Sequence, residues 1–141
     1  MINSKLNQKI ILLKEARLQL LKLHKLLVDD ERAAYEQKNG KITSGQFLNI
    51  LINDKDFQWL KKFSGLIVNI DEMFDLDDGV SANMIEIQLL EMKKLLELSD
   101  SKDEFHNKYT KVLQANFAIH DKHEQLKKIL AAEKEGGEER A

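Results

Sequence analysis

Arg17, His24 and Glu31 stand seven residues apart in a long run of leucine and lysine. In an α-helix seven residues make nearly two turns, so the three share a face, each roughly 10 Å from the next along the axis. An imidazole can carry a proton near neutral pH, a carboxylate can accept one, and a guanidinium can hold an anion through two parallel hydrogen bonds. At this spacing no member of the row touches another, so each needs a partner from a different element. Ser64 and Asp71, again seven apart, offer a hydroxyl and a carboxylate. Asp71 facing His24 or Arg17 would make a charge-assisted hydrogen bond. Tyr35 and Glu72 would complete a polar pocket, with Trp59 as a wall. The candidate ligand-binding set is therefore Arg17, His24, Glu31, Tyr35, Trp59, Ser64, Asp71 and Glu72. The plainer reading, and the favoured one, is a buried polar pair that fixes helix register.

Other chemistries find less support. Helical bundles that hold two irons use Glu-x-x-His pairs, and none is present. Asp103-x-x-His106 and His120-x-x-His123 keep the one-face spacing without that signature, and His106, His120 and His123 read as exposed polar positions on helices. No metal or cofactor is assigned. Cysteine is absent, which removes thiolate nucleophiles, thiolate zinc sites and disulfides. There is no Gly-x-Ser-x-Gly elbow, phosphate loop or dinucleotide fingerprint, and Thr43-Ser44-Gly45 reads as a helix start. No catalytic residue is named.

The chain that must position these groups has 141 residues, 43% hydrophobic and 33% charged, which suits one domain with a core and a charged surface. It has no proline and six glycines, so little interrupts long helices. A net charge of −2 argues against a dedicated nucleic-acid binder. Residues 1–28 carry six Lys or Arg against one Glu, while Glu133–Ala141 carries four Glu against two basic residues. The basic end could suit a membrane surface, but a packed helix with a lysine-solvated outer face is preferred. No apolar run spans a bilayer and no secretory leader is visible, so a cytoplasmic protein is expected.

The spacing predicts a first helix over residues 4–38, with Leu6, Leu13, Leu20, Leu27 and Ala34 as a ridge facing the core and Asn39-Gly40 as its end. Thr43 and Gln46 form a capping box opening a short helix from Ser44 to about Asn53. A third helix from about Asp56 to Phe74 buries Phe57, Leu60, Phe63, Ile67, Ile70 and Phe74. Ser81 caps a fourth, reaching Leu98. Ser101 and Glu104 form a second capping box for a fifth, to about Gln114. Ala115-Asn116 is a kink or tight turn, and Phe117–Ala132 a sixth helical segment carrying Phe117, Leu126, Ile129 and Leu130. The expected architecture is all-α: one antiparallel helical bundle of four main helices plus one or two short helices over residues 1–132, with 133–141 as a flexible acidic tail. A coiled-coil dimer ranks second.

Several segments together resemble a family of small, all-helical bacterial proteins of unassigned function: Leu23-His24-Lys25-Leu26-Leu27, Glu31-Arg32, Tyr35-Glu36, Gly40, Phe47-Leu48 with Leu51, Asp56-Phe57, Trp59-Leu60, Ser64 with Leu66-Ile67, and Ile70-Asp71-Glu72. A weaker similarity continues through Phe105, Tyr109, Leu113-Gln114 and His120. Coverage is good over about residues 17–75. Family members often carry proline near positions 55 and 116, where this chain has Lys55 and Asn116. The resemblance implies a helical fold and no activity, and it returns to His24, Glu31, Arg32, Tyr35, Trp59, Ser64, Asp71 and Glu72. The expected role is a non-enzymatic module binding a protein or small ligand, as monomer or homodimer. The alternative is a metal protein or enzyme using His24 with Glu31 and Asp71.

Overall fold

The absence of proline and the three- and four-residue spacing of leucines favour uninterrupted helix. The computed structural model, which describes residues 4–98 and 103–139, contains six α-helices, one 3₁₀ segment and no strand among those residues. They run α1 Ser4–Asn39, α2 Ser44–Asn53, a 3₁₀ segment Lys55–Leu60, α3 Lys61–Phe74, α4 Ala82–Leu96, α5 Glu104–Ala115 and α6 Phe117–Glu139. None of the described helices is long and apolar enough to cross a membrane.

Local chemistry sets the boundaries. Gly40 closes α1 at φ +87°, a backbone region costly for side-chain-bearing residues. Arg32 then clamps the turn: its Nη2 donates to the Ile42 carbonyl at 2.8 Å, while the Ile42 N–H donates to Glu36 Oε2 at 3.0 Å. The Thr43–Gln46 capping box forms in both directions, at 3.1 and 2.9 Å. Asp54 serves two elements. Its N–H closes α2 on the Ile50 carbonyl, and its side chain accepts the Asp56 N–H at 2.8 Å. The expected third helix thus begins with a 3₁₀ segment, and α-helical bonding starts only at Lys61. Ser81 caps α4, which stops at Leu96 rather than Leu98. The cap of α5 is Asp103, accepting the His106 N–H at 2.8 Å, so Glu104 is the first helical residue and not the third position of a Ser101 box. Ser101 itself lies outside the described residues. At Asn116 the turn reading holds: its N–H closes α5 on Val112, and its Oδ1 accepts the Ile119 N–H at 3.2 Å to open α6. The α6 backbone stays helical through Glu139, past the expected Ala132.

The core forms around α1, which packs against α3, α4 and, most extensively, α6. Its deepest residues are Leu13, Ala16, Leu20, Leu23 and Leu27, all fully buried, in alternating steps of three and four. They meet Phe63 and Ile70 of α3, Ile85, Leu89 and Met92 of α4, and Ile119, Leu126 and Leu130 of α6 in one cluster. Burying each such leucine contributes roughly 1.5–3 kcal/mol, offset by the ordering of the chain. The predicted ridge holds from Leu6, half-buried and packed against the core, through Leu27, and fails at Ala34, which is exposed. Late in α1 the neighbouring turn binds Arg32 and Glu36, and Ala34 sits roughly 200° around the helix from both. Phe117, at the start of α6, is 82% exposed.

Candidate functional site

The seven-residue row lies along α1, but its members meet different partners. Arg17 holds Asp71 of α3 at two points, Nε to Oδ1 at 2.8 Å and Nη2 to Oδ2 at 3.0 Å. That bond to Asp71 raises the guanidinium's pKa further above its ordinary value. Asp71 is thereby committed, and His24 makes no side-chain hydrogen bond to any described residue. The His24 ring is half-buried, and the loss of water around it lowers its pKa.

Glu31 faces a third neighbourhood. Burial pushes its carboxyl pKa up, Asp30 and Asp56 push the same way, and Lys108 opposes them. Lys108, on α5, donates to the Asp56 carbonyl at 2.9 Å and pairs with Glu104 at 3.2 Å. Beside this, Asn116 Nδ2 donates to Asp30 Oδ1 at 3.0 Å and ties the α5–α6 turn to α1. Tyr35 packs its ring against Phe57 at 6.4 Å. Ser64 donates to its own helix at Lys61 O, 3.4 Å away. Glu72 is exposed. Trp59 is a core residue rather than a pocket wall, only 6% exposed, with Phe63, Phe105 and Tyr109 each about 6 Å from it. The eight predicted residues therefore divide among separate contacts. Among the described residues no three His, Asp or Glu side chains gather as a metal site would require.

A different pair forms the most unusual polar feature. Tyr109 of α5 and His123 of α6 stand seven residues to either side of Asn116, so the turn there folds them onto each other. The expectation that His123 is exposed is overturned: it is 1% exposed, because its ring is turned onto Tyr109 of α5. Tyr109 Oη lies 2.6 Å from His123 Nδ1, with the rings 5.3 Å apart and nearly perpendicular. Burial pushes the tyrosine pKa far up, with the Glu124 charge adding to it, so the phenol keeps its proton. Burial, then Lys127, lowers the imidazole to about 4, with His120 adding slightly and Glu124 opposing. Both groups are neutral at pH 7. A phenol is a stronger donor than a neutral imidazole N–H, and imidazole nitrogen a stronger acceptor, so the geometry implies that Tyr109 donates to Nδ1. The ring proton then sits on Nε2, which is buried without a hydrogen-bond partner. Leaving such a donor unpaired costs about 1–3 kcal/mol.

His123 also contributes to the wall of a recess of about 700 Å³, lined in part by Leu113, Phe117, His120, Glu124 and Lys127. Nδ1 points inward to Tyr109, and Nε2 points to the side where Glu124 Oε2 lies, 4.0 Å away and beyond hydrogen-bonding reach. The same oxygen is 3.5 Å from Lys127 Nζ. A second groove, of about 720 Å³, runs between α3, α4 and the start of α5 past Lys62, Asn69 and Gln88. In it Lys62 lies over the Phe105 ring and Glu91 already pairs with Lys94. Periodicity alone does not reveal the Tyr109–His123 pair. The signal that could have done so is their equal distance from a turn-forming asparagine. Comparison with family models, with curated proteins and with solved structures finds no match.

Proposed function

We propose that this protein is a non-enzymatic binding module whose ligand is a small molecule held in the recess beside His123. In this reading the helices make one antiparallel bundle, with α1, α3, α4 and α6 as its four main members, working in the cytoplasm. The observation that carries the reading is His123 itself: it lines a recess, and its buried Nε2 has no hydrogen-bond partner. Core polar atoms are ordinarily satisfied, and an orphan beside a cavity is what a bound partner would complete. The rival, an enzyme or metal protein built on His24, Glu31 and Asp71, draws less support, since Asp71 gives both oxygens to Arg17. A protein partner is the second reading. It is favoured by Leu48 and Ile52, four residues apart on one face of α2 and 57% and 54% exposed.

The test is a fragment screen read by amide chemical shifts on the whole chain. The expected result is that a chemically related group of fragments shifts residues of α5 and α6. Shifts confined to α2, or none from any fragment, would contradict the small-ligand reading.

A further inference from the structure

We propose that the recess beside His123 takes a small monocarboxylate, whose carboxylate bridges His123 Nε2–H and Lys127 Nζ while its apolar body lies along Leu113 and Phe117. This rests on the small-ligand reading above and adds the class of ligand. The missing group must be a hydrogen-bond acceptor, because the orphaned nitrogen carries the proton. Lys127, 53% exposed in its side chain, adds a cation at the same recess. One oxygen of Glu124 lies near both donors, 3.5 Å from Lys127 Nζ and 4.0 Å from His123 Nε2. The chain thus places its own carboxylate near both donors without completing the bond to the imidazole. Glu124 is 44% exposed in its side chain and can turn into water, leaving that place to an incoming carboxylate. The same acidic neighbour disfavours a doubly charged phosphate, since like charges in close quarters repel. The apolar requirement comes from the rim. Phe117 is 82% exposed and Leu113 is buried beneath the recess, so a ligand with a short hydrocarbon or aromatic body would cover surface now facing water.

The experiment titrates the whole chain with benzoate, benzamide and phenyl phosphate, following side-chain imidazole and amide shifts. Benzoate is expected to bind in the millimolar range and to shift the His123 ring, with benzamide and phenyl phosphate weaker by about tenfold or more. Lys127→Ala, a surface change that spares the fold, should weaken benzoate by about tenfold. Glu124→Ala should strengthen it by removing the internal competitor. Benzamide or phenyl phosphate equal to benzoate would overturn the proposal, as would Lys127→Ala or Glu124→Ala without effect. If benzoate leaves His123 unshifted while other fragments bind at α5 and α6, the monocarboxylate inference fails alone. If no fragment of any class binds there, the small-ligand reading fails with it.

Discussion

Tyr109 Oη and His123 Nδ1 are 2.6 Å apart inside the protein, joined across the Asn116 turn that separates their helices. The pair is neutral and buried, and one of its nitrogens has no partner. A buried polar pair constrains the core through what its removal leaves behind. Tyr109→Phe strands Nδ1 as well as Nε2, and His123→Leu strands the phenol. Each single change is expected to cost about 1–3 kcal/mol. The double change replaces every polar atom of the pair by hydrocarbon and should cost less than the sum of the two. Urea denaturation of the four proteins measures this, and strictly additive losses would show that the hydrogen bond contributes nothing.

Stability should fall on the acid side of neutrality. The folded His123 has a pKa of about 4 against the ordinary 6.5, lowered by burial, then by Lys127 and His120 and opposed by Glu124. Between those values the unfolded chain binds a proton that the folded chain does not. The contribution is complete above pH 6.5 and is lost as the pH drops toward 4, by on the order of 3 kcal/mol. His24, also lowered by burial, acts with the same sign, while Glu31, pushed up by burial, opposes it at the acid end. Denaturation midpoints at pH 7 and pH 4.5 should differ more for the native chain than for His123→Leu. Equal differences would assign the acid sensitivity to other groups.

Arg17 and Asp71 should behave as a tie between α1 and α3. The two-point geometry is good, but the side chains remain 30% and 47% exposed. Their coupling is therefore expected near 1 kcal/mol, weakening with salt. A double-mutant cycle of Arg17→Ala and Asp71→Ala measures it. A zero coupling at low salt would mean that the pair does not hold register.

The centre of α1 should be far less tolerant. Leu20 is fully buried amid the core cluster, and Leu20→Ala is expected to cost about 2–5 kcal/mol. Ile11 is 67% exposed on the same helix, and Ile11→Ala should change stability by under about 0.5 kcal/mol. Comparable losses for the two would contradict the placement of the helix face.

The helical character was legible because proline is absent and the apolar spacing of α1 and α3 is regular. The turn at Gly40 and the Thr43–Gln46 box were legible because each depends on near neighbours in sequence. Arg17 meeting Asp71 was legible to within a choice of two partners. What spacing does not carry is which face of one helix meets which face of another. Histidine is usually exposed, so His123 read as a surface residue, and only the fold of α6 onto α5 buries it. Trp59 near a helix start reads as a core-edge residue first and a pocket wall second, and its burial among Phe63, Phe105 and Tyr109 agrees with the first. The start of α5 was displaced because Ser101 and Asp103 are both competent caps, and the choice depends on where the backbone first turns helical.

The central claim is the protonation of His123, and nitrogen-detected NMR of the imidazole rings tests it most directly. The account predicts a His123 ring that stays neutral down to about pH 4, with its proton on Nε2 and Nδ1 accepting from Tyr109. A ring that titrates near 6.5, or one protonated on Nδ1 at neutral pH, would contradict it.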